Sequence, residues 1–135
     1  MTSSTQLSVG AELGGLSQEI TREQIKAYAD ASGDQNPIHQ VDEVALAMGL
    51  PGVIAHGMLS FGLLSRAITD WLDDPGRLRR LEVRFSTMVR PGDVLTCKGT
   101  VAGVDNAVGT ARLTVWVENQ NGEKVLSHGE AEIAL

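Results

Sequence analysis

The sequence has a single thiol, few aromatic residues and an excess of acidic side chains. Cys97 is the only cysteine in 135 residues, so neither an intrachain disulfide nor a multi-cysteine metal site can form. Lysine and arginine number 11 against 17 aspartate and glutamate residues, which gives a formal charge of -6. This balance removes the electrostatic basis for general nucleic-acid binding. Such features are typical of an acidic protein in a reducing compartment.

Two kinds of targeting or membrane segment are also missing. The opening residues have no basic stretch followed by an apolar run, so no secretory signal is visible. The most apolar stretch, near Leu63, is interrupted by Arg66 and Asp70 well before the roughly 20 apolar residues that a membrane span requires. The length fits one domain, 1–135. We therefore expect a single cytoplasmic domain.

Three segments show the spacing of apolar residues that helices have. The first begins at the capping box Thr21-Arg22-Glu23-Gln24 and ends at Gly33. The second has its apolar residues between Val41 and Met48. The third is predicted from about Gly57 to Asp73, where a Pro-Gly pair follows. Its first half is apolar on nearly every side, so we expect that half to be buried.

From Leu81 onwards the apolar period changes to two, which predicts strands. The first strand is expected to bury alternate side chains, namely Leu81, Val83, Phe85, Thr87 and Val89. Further strands are predicted over 94–104, 111–117 and 125–133, and the last places His128, Glu130 and Glu132 on its polar side. Helices followed by a meander of strands form an α+β pattern. One apolar helix followed by an antiparallel sheet suggests a sheet curled around that helix.

Two blocks contain the candidate catalytic residues. They are Ser32-Gly33-Asp34-Gln35-Asn36-Pro37-Ile38-His39 and, further along the chain, Ile54-Ala55-His56-Gly57-Met58. The first block predicts a loop between two helices, because its residues favour turns. By residue type alone, Asp34 fits an Asx-turn and His39 fits a hydrogen-bonded structural role.

Together, these two blocks resemble the signature of the MaoC-like (R)-specific enoyl-thioester hydratases. That signature has a Ser-Gly-Asp-x-Asn-Pro-x-His loop and a central helix that opens with Ala-His-Gly-Met. The likeness continues through Val83-Arg84-Phe85 and 91–95 and covers roughly residues 7 to 135. It departs at Met88, where relatives often have proline. The resemblance implies a hot-dog fold, an α+β architecture whose antiparallel sheet wraps a long central helix.

The resemblance also implies an activity and a division of roles. The activity is hydration of 2-enoyl thioesters, or dehydration of (3R)-hydroxyacyl thioesters, without a cofactor. His39 is assigned as the principal base and Asp34 as its partner, because a neutral imidazole can accept a proton from water. The Gly57 backbone N–H is assigned to the thioester oxygen, since a helix N-terminus favours negative charge and glycine permits close approach. In the simpler interpretation Gly57 only eases helix packing.

The remaining candidate residues are expected to support the site or to lie outside it. Asn36 is expected to bond locally and shape the loop, and His56 to orient the start of the helix. His128 is expected to be solvated beside two glutamates, and Cys97 to be a packing residue. No convincing metal site is expected from the three histidines, so the prediction is that no metal is bound.

The expected ligands are acyl thioesters of coenzyme A or of acyl carrier protein. Arginines cluster locally between Arg77 and Arg90, and this cluster is either a solvated face or a contact for coenzyme A phosphates or a carrier protein. A homodimer, or a heterodimer with a related hot-dog chain, is expected because a lone curled sheet leaves an edge open. Within this family the chain closely resembles the single-hot-dog dehydratase subunits of actinobacterial fatty-acid elongation. Alternative functions are a hot-dog thioesterase and a partner subunit of a heterodimeric dehydratase.

Overall fold

The computed structural model describes residues 7–135, so the opening residues 1–6, in which no secretory signal was found, lie outside it. Five strands form one antiparallel sheet in the order β1-β3-β4-β5-β2. The strands are β1 Leu16–Glu19, β2 Leu78–Phe85, β3 Val94–Asp105, β4 Thr110–Glu118 and β5 Lys124–Ala134. The helices are α1 Arg22–Ser32, α2 Asp42–Ala47 and α3 Gly57–Trp71, with short 3-10 turns at Pro37–His39 and Pro75–Arg77.

The long helix α3 packs across the sheet and contacts four of its strands, β2 to β5. Its buried side chains recur at helical spacing on one face and are Leu59, Ser60, Leu63, Leu64, Ala67 and Ile68. A sheet wrapped around one central helix is the hot-dog fold, so the predicted fold class is confirmed. Within residues 7–135, no helix is long and apolar enough to cross a membrane.

The expectation that the whole first half of α3 is buried is only partly right. Met58 is 52% exposed, and Gly62 is exposed as well. The reason is geometric, because a helix lying on a single sheet buries one face and turns the other away from it.

The three C-terminal strands alternate as the period of two predicts. β4 buries Ala111, Leu113, Val115 and Val117, and the second half of β5 buries Ala131 and Ile133 in the same way. His128 and Glu130 lie on the exposed side. The alternation fails at the start of β5, where Val125, Leu126 and Ser127 are all buried. There the register between β4 and β5 shifts between Val115 and Val117, and His128 has a positive φ of 50°.

Two features of the sheet differ from the prediction. The strand β1 was not predicted, since its four residues are too few to show a period and their pairing with β3 holds them in place. The predicted strand 81–90 instead ends at Phe85, which is 55% exposed and not part of the core. The N–H groups of Ser86 and Thr87 both donate to the carbonyl of Val125, which ends the regular ladder.

Beyond β2 the chain turns towards the beginning of α3. The carbonyl of Val89 accepts a hydrogen bond of 2.8 Å from the backbone N–H of Ala55. This contact brings the segment 86–89 beside the residues that precede α3. The end of β2 therefore forms one wall of the region in which the two sequence blocks meet.

Candidate active site

The loop between α1 and α2 is shaped by local hydrogen bonds. Gly33 closes α1 with a φ of 81°, in the left-handed region, and its N–H donates to the carbonyl of Ala29. Asp34 Oδ1 accepts from the N–H of Asn36 at 3.2 Å, and Asn36 Oδ1 accepts from the N–H of Ile38 at 3.2 Å. Asp34 thus makes the Asx-turn expected from its residue type. Its second carboxylate oxygen remains available for other groups.

His39 is oriented by the segment that precedes α3. Its Nδ1 lies 2.7 Å from the carbonyl oxygen of Ile54. Because a carbonyl only accepts, Nδ1 carries the proton of the neutral ring and Nε2 keeps a lone pair. This Nε2 lies 4.0 Å from Asp34 Oδ2, a separation too long for a direct hydrogen bond. The arrangement leaves two acceptor atoms facing each other across a short gap.

The segment 53–55 is itself tied down on both sides. The N–H of Val53 donates to Asp42 Oδ1 at 2.9 Å, and the N–H of Ile54 donates to the carbonyl of Ile38. The hydrogen bond from Val53, helped by the guanidinium of Arg22, lowers the pKa of the Asp42 carboxyl below its usual value. These bonds fix the position of the Ile54 carbonyl and therefore of the His39 ring.

His56 connects the loop to the start of α3. Its side chain is 3% exposed, and its Nε2 donates to the backbone carbonyl of Asp34 at 3.0 Å. Its ring stacks on that of His39, with centroids 3.8 Å apart and planes inclined by 23°. Tyr28 covers it with its ring centroid at 4.8 Å. Among residues 7–135, the buried Nδ1 of His56 has no hydrogen-bond partner.

The first turn of α3 begins at Gly57, and two cavities meet there. One has a volume of about 260 Å³ and lies between His39, Gly57 and the end of β2. The other, of about 300 Å³, lies on the side of Asp34 and His56, and is also lined by His39 and Gly57. A Cβ atom on Gly57 would stand 3.0 Å from the ring of Phe85, so a larger residue would narrow the space between them.

Comparisons with known proteins identify the family of this chain. The model of the MaoC like domain matches residues 5–123. The chain belongs to the MaoC-like family. It is 33% identical over 123 residues to an (R)-specific enoyl-CoA hydratase of Rhodospirillum rubrum, covering 89% of this chain and 83% of that protein. It is also similar to the unliganded R-hydratase PhaJ1 of Pseudomonas aeruginosa, with 34% identity, a TM-score of 0.86 and coverage of 96% and 83%.

Other MaoC-like relatives are parts of larger assemblies. The ChsH1-ChsH2 complex of Mycobacterium tuberculosis contains a chain with 25% identity and a TM-score of 0.82, covering 95% of this chain and 98% of that one. A fatty acid synthase subunit beta of Aspergillus oryzae is 36% identical over 109 residues, which are 78% of this chain. The chain spans only 5% of that subunit. MaoC-like domains thus occur in chains of very different length.

In this MaoC-like chain the fold brings together Asp34, His39 and His56 of the predicted site. One carboxylate oxygen of Asp34 and one imidazole nitrogen of each histidine lie within 4.8 Å of one another. Two of the imidazole nitrogens already donate to backbone carbonyls. His128 does not join this group, since it lies on β5 beside Ser127. Cys97 is buried, and burial raises the pKa of its thiol to about 11, so it lacks the thiolate that a nucleophile needs.

The arginines between Arg77 and Arg90 do not form one patch. Arg77 bonds to Asp73 and to the carbonyl of Ala134, and Arg80 pairs with Glu82 at 2.9 Å. Arg90 lies elsewhere, beside Gly52. Pairing with acidic neighbours favours the interpretation of the first two as structural or solvated side chains.

Sequence reasoning did not find the roles of Tyr28, Ile54 and Phe85 at this MaoC-like site. Ile54 acts through its carbonyl, which residue type does not reveal. Phe85 was assigned to the core because of its place in an alternating pattern. Tyr28 occupies an apolar position of α1, and the only signal was its place on the face that packs towards the core.

We expect His56→Phe to loosen the loop 34–39. The substitution keeps a buried ring on His39 but removes the N–H donor to the Asp34 carbonyl, which costs about 0.5–1.5 kcal/mol, the net contribution of a typical hydrogen bond. Urea unfolding should show this loss, and amide hydrogen exchange should be faster across 34–39. Glu43→Ala, an exposed change nearby in α2, serves as the control. Unchanged exchange in the His56 variant would contradict the role given to this hydrogen bond.

Proposed function

We propose that this chain catalyses the (R)-specific hydration of 2-enoyl thioesters and the reverse dehydration of (3R)-hydroxyacyl thioesters. The observation that carries the proposal is the pairing of His39 Nε2 with Asp34 Oδ2 across 4.0 Å, next to the first turn of α3. A water molecule placed between these acceptors could donate one hydrogen bond to each. The names of relatives that are (R)-specific hydratases support the same activity.

In the proposed mechanism His39 acts as the base. Its Nε2 takes a proton from the water while Asp34 orients that water, and the hydroxyl forms a bond to C3 of the enoyl group. The electrons of the double bond move through C2 to the thioester oxygen. A proton returned by the Asp34/His39 pair to C2 then restores the carbonyl. One hydroxyl and one proton are thereby added, and dehydration follows the same path backwards.

The negative charge on the thioester oxygen is assigned to the start of α3. The N–H groups of its first turn have no partner within the helix, and the helix dipole favours an anion there. Among these N–H groups we propose that of Gly57 as the donor, because Gly57 lines both cavities and has no side chain to keep the oxygen away. His56 and Asn36 support the site and take no proton in this mechanism.

Two other functions are separable from this one by simple assays. A hot-dog thioesterase would release free thiol from a saturated acyl-CoA, whereas a hydratase removes enoyl absorbance without releasing thiol. A non-catalytic partner subunit would need neither Asp34 nor His39. A turnover panel of crotonyl, longer enoyl and branched thioesters, each on coenzyme A and on acyl carrier protein, tests the function and identifies the carrier.

We expect Asp34→Asn and His39→Ala each to lower turnover of a good enoyl thioester by at least about a hundredfold, since each removes a positioned acid/base group. Circular dichroism and oligomer size should stay the same, which separates loss of chemistry from loss of fold. Gln40→Ala, a neighbouring loop change, should retain activity. A folded Asp34 or His39 variant with near wild-type turnover would remove that residue from the mechanism.

The stereochemistry of the product is a further consequence of the geometry. If one water lies between Asp34 and His39 and the thioester oxygen lies at Gly57, hydroxyl and proton add from the same side of the flat enoyl group. Chiral chromatography of the product from a trans-2-enoyl thioester should show the (3R)-hydroxyacyl thioester. In deuterated water, deuterium should enter C2 in one defined relation to the C3 hydroxyl. Substantial (3S) product, or a scrambled C2 with exchange excluded by controls, would reject this water position.

We also propose that the chain forms a dimer of hot-dog domains. In the described part of the chain β2 pairs with β5 alone, so its other edge is open. Exposed apolar side chains lie nearby at Phe85 and Met88. A second copy, or a related chain as the ChsH1-ChsH2 relative suggests, would cover both the edge and these side chains. We also propose a cytoplasmic location.

Sedimentation at micromolar concentration should show twice the mass of one chain if the homodimer forms. Phe85→Lys should weaken the dimer, because it places a charge among the apolar side chains at the edge. A stable wild-type monomer with full activity would reject the dimer without affecting the proposed chemistry.

A further inference from the structure

Three side chains beside the 260 Å³ cavity are joined by hydrogen bonds. Ser86 lines this cavity, and its hydroxyl bonds to the hydroxyl of Ser127. The Ser127 hydroxyl in turn lies 3.0 Å from Nδ1 of His128. His128 is exposed, so the three side chains connect the cavity with an exposed imidazole. The proposed hydration does not use any of them.

The backbone at His128 is arranged for this contact. His128 is the one non-glycine residue in the described range, 7–135, with a positive φ, 50°. Successive side chains of a regular strand point to opposite faces, so neighbours such as Ser127 and His128 are normally kept apart. The left-handed conformation and the register shift next to it let the two side chains meet. Backbone conformations of this kind cost free energy and concentrate at functional sites.

The direction of the hydrogen bonds determines what Ser86 offers to a ligand. We assign to His128 the neutral tautomer with its proton on Nε2, so that its Nδ1 accepts from Ser127 and Ser127 in turn accepts from Ser86. The proton of the Ser86 hydroxyl is then occupied. Its oxygen keeps lone pairs for the cavity, which makes Ser86 an acceptor and selects a ligand with an N–H or O–H group.

The position of Ser86 indicates which part of the substrate passes it. The inner wall of the cavity is apolar and buried at Ala55, Val89, Val125 and Leu126, which suits an acyl chain. Ser86 is exposed in the single chain, at the rim formed with Phe85 and Met88, where the proposed partner chain would also lie. The part of the ligand that passes this rim is the arm that carries the acyl group. In thioesters of coenzyme A and of acyl carrier protein this arm is pantetheine, which contains two amide N–H groups.

We propose that Ser86 Oγ accepts a hydrogen bond from an amide N–H of the pantetheine arm, with Ser127 and His128 as positioning residues that hold the Ser86 hydroxyl. The proposal rests on the proposed function only in taking a pantetheine thioester as the ligand. It assigns a role in substrate recognition, and no role in proton transfer, to these three residues.

The test is an equilibrium binding cycle with a ligand that cannot be hydrated. Butanoyl pantetheine is compared by calorimetry with two analogues, each with one amide replaced by an ester, which removes one N–H. In the wild type, one of the two esters should bind roughly two- to tenfold more weakly, the effect of losing one neutral hydrogen bond. Ser86→Ala should weaken binding of the amide by a similar factor and abolish the difference between amide and ester.

Matched variants separate the hydroxyl from the shape of the side chain. Ser86→Thr keeps the hydroxyl and should retain the amide preference, whereas Ser86→Val has the same shape without it and should lose the preference. His128→Leu removes the acceptor at the end of the chain and should reduce the preference. His128→Asn should restore it, because asparagine tolerates a positive φ and its Oδ1 stands near the place of Nδ1. Thermal melting checks that each variant is folded.

Two outcomes would overturn the proposal. One is an amide preference that survives both Ser86→Ala and Ser86→Val, and the other is a wild type with no preference between amide and either ester. Because butanoyl thioesters are saturated, these results do not depend on hydration, whereas a failure of the proposed function appears only in the enoyl turnover panel. Ser86→Ala should also weaken binding of butanoyl-CoA and of butanoyl acyl carrier protein, because both contain the pantetheine arm. No loss with either carrier would also reject the proposal.

Discussion

The hydrogen bond from His56 Nε2 to the carbonyl of Asp34 is the contact on which the arrangement of the site depends. It joins two segments that are 22 residues apart in the chain, the loop after α1 and the start of α3. Because the His56 ring also stacks on His39, the same side chain determines the position of both groups assigned to the chemistry. An alternative partner for the carbonyl, such as water, would satisfy it equally but would not align the loop with the helix.

The sheet and α3 supply the rigid frame that makes this contact precise. The apolar face of α3 is held by four strands, so the first turn of the helix has a defined direction relative to the end of β2. The segment 53–55 is bonded to Asp42, Ile38 and Val89, and this network fixes the carbonyl that orients His39. The loop residues provide reactive groups, while the core determines where these groups meet.

The same frame explains why the end of β2 is important for recognition. The ladder with β5 ends where two N–H groups share the carbonyl of Val125, and the chain then leaves the sheet. This departure opens a cavity whose rim carries Phe85, Ser86 and Met88. The irregular backbone at His128 lies on the neighbouring strand. Substrate recognition, as proposed, is thus built from two departures from regular β-structure, while the chemistry is assigned to the loop and the helix start.

Much of the architecture follows from the sequence alone. Thr21 caps α1 as predicted, with its hydroxyl accepting from the N–H of Gln24, although the Gln24 side-chain oxygen makes no return bond. The alternation along β4 and the second half of β5 places their inner faces correctly. These features are local, because capping and the period of two depend on residues close in the chain. The two motif blocks likewise marked Asp34, His39 and Gly57 as the candidate site, although they did not show how these residues are held.

Tertiary structure decided the rest, because the deciding contacts join residues far apart in sequence. Phe85 fits an alternating core pattern, yet the ladder ends beside it and leaves it exposed. The short strand β1 exists because β3 offers it a pairing edge. The stacking of His56 on His39, and the hydrogen bond between Ser86 and Ser127, 41 residues apart, depend on register and packing that residue order does not encode locally. The sequence determined which chemical groups this protein has and which local elements carry them, and the packed fold determined which of those groups face each other.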